Sequence, residues 1–405
     1  MSLSSTLLLE IEPKVETGTA SEITRSIGEL VAWLKACNYA GYEPYDILNS
    51  PLLSGDWARR QPFATLLIQS AKRFGGLRLR HLLRVPPSRN PKALGLILSA
   101  YCDLAACGQS TTSEAQSMKR ALQALRSPGE SEFCWGYDWD YVSLRGTRLP
   151  AFSPNSIATY FCATALLDMA EQFHDLEARE MALSATHLLV TKLNRSVDTP
   201  TNLCLSYTPA DRTVIYNSSA LVGSLLARVA ISKRDPEYLG VARRIMHYLA
   251  DQQRADGSWA YGAGRAQGWI DSFHTGYNLG ALLSYQNSTG DCSFEASLRR
   301  GYRYYVNTFF TADGAPKYFH NALYPIDVHC CSQAMLTFCD FAGLDRDARE
   351  RALRIASWTL DHMRNPNGTF CYQIHRFWTD RTPYIRWGQS WMLRALARVK
   401  RQYLS

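Results

Sequence analysis

Two short stretches place titratable side chains where a helix would begin: Asp271-Ser272-Phe273-His274 and Asp327-Val328-His329. Imidazole titrates near neutral pH and suits the removal and return of a proton at a sugar carbon. A polar residue follows each histidine four positions on, as His274/Asn278 and His329/Gln333, so both pairs would share a helical face. If the two helices pack as neighbours, about 8–10 Å apart, Asp271 and Asp327 would approach the roughly 6.5–9.5 Å separation of the carboxylates in inverting glycosidases. Either aspartate would serve equally as an N-cap. A single histidine in an apolar helix is commonly a satisfied core residue; the recurrence at equivalent openings singles these two out. Asp138 and Asp140, in the run Cys134–Tyr141, are alternative acids.

Aromatic side chains recur ahead of the helix openings. Trp135/Tyr137, Trp259/Tyr261 and Phe370/Tyr372 each place a second aromatic two residues after the first, and Trp269 and Tyr318 lie in the same connectors. Rings with polar tips suit sugars, whose C–H faces stack while their hydroxyls take hydrogen bonds. The candidate binding set is Tyr137, Asp138, Asn217, Trp259, Tyr261, Trp269 and Tyr318. Arg386, with Gln389 beside it, would answer an anionic group such as a uronate carboxylate or a phosphate. The competing reading makes the aromatics a plug at the wide end of the fold.

These residues need elements to carry them. Strongly apolar helices open near Pro91, Asn155, Asn217, Asp271, Asp327 and Arg386, spaced by 64, 62, 54, 56 and 59 residues. More amphipathic helices fall between them, near 113–126, 176–194, 236–253, 292–310 and 346–364, and strand signals are sparse. Repeats of this period cannot bury their faces singly and must stack. The pattern predicts an all-α protein of six helical hairpins, closed as an (α/α)6 toroid with apolar inner helices; the alternative is an open α-solenoid. The N-terminal helices, Thr24–Asn38 and Phe63–Phe74, would complete the outer wall. Residues 1–20 read as a poorly ordered arm and 21–405 as one domain.

Composition narrows the function classes. Of 405 residues, 46% are hydrophobic, the fraction of a chain with an ample core, and the net charge of +8 leans toward an anionic ligand without any basic run dense enough for nucleic acid. No run approaches the roughly 18 apolar residues of a membrane span, and the first residues lack the pattern of a signal peptide, which predicts a cytoplasmic protein. The eleven cysteines form no CxxC pair and read as reduced thiols. Asp327, His329, Cys330 and Cys331 include zinc-ligand types, but adjacent helical residues diverge by about 100°, so neither a metal nor another cofactor is expected.

GWIDSFHTGYNLGALL, DGAPKYFHNALYPIDVHCCSQAM, SPNSIATYFCATALLD, YTPADRTVIYNSSALVGSLLARV and PYIRWGQSWMLRALA together resemble a set of bacterial polysaccharide-biosynthesis proteins similar to the six-hairpin glycosidases. The resemblance covers about residues 130–400. It implies the (α/α)6 fold, a glycan or sugar-nucleotide substrate, and a place beside surface-polysaccharide synthesis machinery. Related toroids include glycosidases, lyases and epimerases, so the fold alone leaves the reaction open.

Overall fold

The computed structural model describes residues 6–60, 62–142 and 148–405, and their side chains apart from those of 6–17, 74, 75, 142 and 148. Fourteen helices account for most of them: α1 (Thr6–Ala36), α2 (Phe63–Ser70), α3 (Gly76–Leu82), α4 (Pro91–Ala106), α5 (Thr112–Ala124), α6 (Ser156–Phe173), α7 (Leu176–Lys192), α8 (Tyr216–Lys233), α9 (Pro236–Asp251), α10 (Ser272–Thr289), α11 (Glu295–Thr308), α12 (Val328–Asp340), α13 (Ala348–Met363) and α14 (Ser390–Val399). The even-numbered helices from α4 to α14 form an inner ring. Each packs on the next, and α14 packs back on α4. The ring is closed; the open solenoid is excluded.

Composition dictates which helices go inside. α4 is buried from Pro91 through Leu104 and α12 from Val328 through Cys339, as expected of helices apolar on every side. α9 buries one stripe, Val241, Ala242, Ile245, Met246 and Leu249, and leaves the rest half-buried or exposed. Gly95 lets α4 and α6 approach closely: a Cβ there would lie 3.0 Å from the Phe161 carbonyl oxygen and 3.2 Å from Cys162 Cα. The seam between α14 and α4 carries ions as well as packing. Asp103, 1% exposed, accepts from Arg394, from Arg398 Nε at 3.1 Å and from Arg401 Nη1 at 2.9 Å.

Inner and outer helices are joined by short links with a common grammar. His174, Arg234 and Gly290 adopt the left-handed conformation that stops a helix. Asp175 and Asp235 follow two of them and cap α7 and α9. At the opposite end, longer connectors lead into the inner helices, and Asn90, Asn155, Asp271 and Asp327 cap α4, α6, α10 and α12. Short antiparallel pairings stiffen these connectors: β1 (Tyr141–Val142) with β2 (Arg148–Leu149), β3 (Arg195–Asp198) with β4 (Leu203–Leu205), and a three-stranded set, β5 (Ile326–Asp327), β6 (Gln373–Ile374) and β7 (Thr379–Asp380).

The N-terminus departs from the expected layout. Residues 1–5 of the expected arm lie outside the described residues, and α1 begins at Thr6. α1 alone completes the outer wall, against α13 and α14. α2 does not join it. At eight residues it is too short to cover an inner helix, and it sits with Ile47, Leu48, Leu53, Ala58, Ala71 and Val85 around a second, smaller core. Contacts from this segment place it over the end of the ring where the inner helices begin. Asn49 Nδ2 donates to the Asp138 carbonyl at 2.8 Å, Arg59 pairs with Asp140 at 2.6 Å, and the Ile385 N–H donates to the Tyr42 carbonyl at 3.1 Å.

Candidate functional site

The N-terminal mouth of the inner ring gathers most of the sequence-predicted residues. Asp271, extended at the N-cap of α10, accepts from the His274 N–H through Oδ1 at 2.9 Å. Its Oδ2 meets His274 Nδ1 at 2.7 Å and Trp269 Nε1 at 2.9 Å. The one carboxylate therefore caps α10 through the His274 backbone N–H and holds the same residue's ring. The carboxylate fixes the proton on Nδ1 and leaves Nε2 as the imidazole's lone-pair face. His274 makes no other side-chain hydrogen bond and keeps 18% of its side chain exposed, against 0% for that of Asp271. Tyr261 stacks on Trp269 (centroids 4.5 Å, planes 14° apart) and touches the His274 ring at 4.5 Å. Tyr318 packs edge-on to Phe273 at 5.5 Å.

The second acid–histidine stretch is built differently. Asp327 Oδ1 accepts from the His329 N–H at 2.8 Å and Trp387 Nε1 at 2.9 Å, and Oδ2 accepts from Gln373 Nε2 at 2.6 Å, a contact fixed by the β5–β6 register. Burial pushes Asp327 up to about 6, against the pull of those donors and the charge of Lys72. The His329 side chain turns away from Asp327. It lies between Phe273 (4.5 Å) and Trp391 (4.4 Å), and its Nε2 meets the Tyr277 hydroxyl at 2.7 Å. At 1% exposure, burial above all, then the charges of Lys92, Arg386 and His274, hold it well below the usual imidazole range. His329 is therefore a neutral ring inside the wall. Phe273 stands between it and His274.

Other predicted residues have internal partners. Arg386 is buried, donating from its backbone N–H and Nε to Glu43 at 2.8 and 3.0 Å, with its guanidinium over Trp139 and Tyr137. Gln389 bonds both the N–H and the carbonyl of Phe370, so it pins a connector rather than standing beside Arg386. Asp138 is held by Ser88 and by Asn90 Nδ2 at 2.5 Å. Tyr137 stacks on Trp139 at 4.6 Å and shares a hydrogen bond with the Tyr207 hydroxyl at 2.8 Å. Asn217 is buried in the first turn of α8, with Oδ1 lacking a protein partner. Trp259 does not belong to the platform. It is 2% exposed, donates to the Leu249 carbonyl at 2.9 Å, and lies against Gly301 of α11. Trp135 makes the equivalent contact with the Leu122 carbonyl at 2.8 Å. The first aromatic of each of these two pairs plugs the wall, because its indole N–H answers a terminal carbonyl of the preceding outer helix.

Several residues at this mouth escaped the sequence reading. Glu43, wholly buried, is pushed up to about 8 by burial against the opposing charge of Arg386. Tyr45 contacts Trp139 and Trp387, and Lys72 Nζ donates to its hydroxyl at 2.9 Å. Nothing in the short-range pattern around Glu43 or Tyr45 marks them, since their partners lie far along the chain. Lys92 did carry a signal, as a charge in the apolar run PKALGLILSAY. It is 3% exposed, over the rings of Phe161 (4.3 Å) and Trp391 (5.1 Å), and burial drives its amine well below the usual lysine range.

Phe161, Tyr277 and Trp391 form an aromatic layer across the ring. Beyond it, toward the C-terminal ends of the inner helices, a cavity of about 610 Å³ is lined by Asp168, Arg228, Asp340, Arg394 and Arg398 among others. Its charges are paired: Arg228 with Asp168 at 2.9 Å, Arg398 with Asp103 at 3.1 Å. Among the described residues no three His, Cys, Asp or Glu side chains converge as a metal site, and the eleven cysteines are free. No described helix is long and apolar enough to cross a membrane.

No family model matches the chain, and no curated protein does. Solved structures do. A cellobiose 2-epimerase from Bacillus thermoamylovorans is 12% identical with a TM-score of 0.62, over 77% of this chain and 88% of its own. A GH76 α-mannanase from Bacteroides thetaiotaomicron is 14% identical with a TM-score of 0.57, over 78% and 87%. A sugar epimerase from a ruminal bacterium is 10% identical with a TM-score of 0.57, over 78% and 90%. The chain has the (α/α)6 fold of the six-hairpin glycosidase-like proteins.

Proposed function

We propose that the chain is a carbohydrate-active enzyme whose N-terminal mouth performs acid/base chemistry on a sugar ring or glycosidic bond, in the cytoplasmic assembly of a surface polysaccharide. The observation that carries this reading is the Asp271–His274 pair, 2.7 Å apart, beside the Tyr261–Trp269 stack. Asp271 orients the imidazole, His274 Nε2 takes and returns the proton, and the two stacked rings receive the sugar's apolar face. Tyr137, Tyr261 and Tyr318, whose hydroxyls burial holds above their ordinary range, serve as donors to ring oxygens. The structural neighbours that act on sugars support the substrate class, and the resemblance to polysaccharide-biosynthesis proteins supports the setting.

One set of observations favours a second reading, a glycan-binding toroid without turnover. Asp327, Arg386 and Gln389 all have internal partners, and a second free acid beside His274 is not among them. The test is incubation of the purified protein with nucleotide sugars and uronate oligosaccharides in deuterated water. Deuterium at a sugar carbon supports epimerase or lyase chemistry, and new reducing ends support hydrolysis. His274→Asn should lower either rate by at least about a hundredfold, the usual worth of a positioned acid–base group. Measurable glycan affinity without turnover would overturn the enzyme reading in favour of binding.

A further inference from the structure

The segment lying over the N-terminal mouth has an outer face that neither the fold nor the proposed chemistry requires. Residues 51–90 hold eight Lys or Arg against one Asp. Arg80 and Arg59 are paired with Asp46 and Asp140, and Lys72 donates to Tyr45; the other five are all arginines. The same forty residues hold five of the fourteen exposed large hydrophobic side chains among the described residues: Leu52, Trp57, Phe63, Leu66 and Leu82. Trp57 and Phe63 touch, with ring centroids 5.4 Å apart. The inner faces of these helices are already satisfied by their own small core and by the contacts of Tyr45, Asn49 and Arg59 with the mouth. Arg60, Arg73, Arg78 and Arg84 are exposed among the apolar side chains.

The neighbouring β6–β7 hairpin continues the same character. Its tip carries Arg376, Phe377 and Trp378, and Phe377 is 86% exposed, more than any other large hydrophobic side chain described. The two pieces adjoin: a Cβ on Gly76, at the start of α3, would lie 3.4 Å from Thr382 Oγ1, two residues beyond β7. We infer that residues 51–90 and the hairpin tip form a docking face for an anionic lipid bilayer, which turns the N-terminal mouth toward the membrane surface.

Aliphatic exposure separates a bilayer from an acidic glycan as the partner. Leu66 and Leu82, 66% and 73% exposed, offer nothing to sugar hydroxyls, whereas the acyl boundary of a bilayer buries such side chains. Arginines interleaved with Trp, Phe and Leu are the composition of an interfacial element drawn to anionic headgroups. The inference does not rest on the proposed chemistry and survives if the toroid has no turnover.

Co-sedimentation of the full chain with vesicles tests it. The protein should pellet with equimolar phosphatidylcholine and phosphatidylglycerol but not with phosphatidylcholine alone. Binding should weaken about tenfold or more between 0.1 and 0.5 M salt, because the screening length is only about 10 Å at the lower concentration. Trp57→Ser with Leu66→Ser should each contribute to a further loss of about tenfold, and Arg78→Glu with Arg84→Glu should do the same by removing charge. All four positions are exposed, and unchanged thermal unfolding will show that the variants are folded; the two pairs test the face independently. Failure to bind the mixed vesicles at low salt would overturn the inference. So would binding indifferent to Trp57 and Leu66, or retention by soluble polygalacturonate with none by vesicles, which would make the face a glycan contact.

Discussion

Replacing Asp103 by Asn tests whether ring closure is a stabilising feature. Asp103 is 1% exposed and its carboxylate is shared by Arg394, Arg398 and Arg401, whose side chains are 13%, 26% and 48% exposed. The amide keeps one acceptor but removes the charge, leaving two largely buried guanidiniums against a neutral group. Removing one partner of a buried pair costs about 3–5 kcal/mol. Arg401, near half-exposed, adds little to this because water screens it. Asp168 and Asp340, each 3.9 Å from one of the arginines, recover part of the loss, so the expected destabilisation is about 3 kcal/mol at the low end of that range. With an unfolding entropy of about 2.1 cal/mol/K per residue, this lowers the midpoint by roughly 3–4 °C. Urea unfolding followed by far-UV circular dichroism measures it. Glu350→Gln is the control, since its partner Arg354 lies with it on the exposed face of α13; it should change stability by less than about 0.5 kcal/mol. Equal effects of the two substitutions would refute the claim that α14 and α4 are joined by a buried ionic seam.

Gly95→Ala should destabilise by about 1–3 kcal/mol, since the new methyl meets backbone of α6 that cannot turn aside; a gain, as helix propensity alone predicts, would show that α4 and α6 are not in close contact. Asp327, raised to about 6 in the fold from an ordinary 3.8, binds a proton more tightly folded than unfolded. Its contribution is therefore full below pH 4 and fades as pH rises through about 6, so wild type should lose up to about 3 kcal/mol relative to Asp327→Asn between pH 4 and pH 7. Paired urea titrations check this, and a pH-independent difference would refute the burial assigned to Asp327. Diethylpyrocarbonate should modify His274 well before His329, as judged by peptide mass, because only His274 keeps an unpartnered ring nitrogen within reach of solvent; equal modification would refute the placement of His329.

The ring was legible in the sequence because its punctuation is local. The six openings and the aspartate caps are set by residues within a few positions of one another, and the mainly apolar run Val328–Cys339 reads as an inner helix. The mouth was less so. Trp259 and Tyr261 are two residues apart, yet one answers the Leu249 carbonyl and the other stacks on Trp269; composition does not distinguish them. Gln389 likewise looked free beside Arg386, until the backbone of Phe370 supplied its partners. Arg386 was readable as a cation, but its anion, Glu43, lies 343 residues away. The small core beneath Phe63–Ser70 was obscured because a short amphipathic helix has the same pattern whether it faces an outer wall or a rim.

The seam also sets a schedule for a chain leaving the ribosome. The Arg394–Ser99 contact spans 295 residues, and synthesis proceeds at about 5–20 residues per second. One side of α4 therefore waits on the order of tens of seconds for α14. During that interval an apolar helix surface stands open to any neighbouring nascent chain. Chaperone dependence during synthesis, and loss of yield when translation slows between the two helices, follow from the topology of closure rather than from weak packing anywhere in the finished ring.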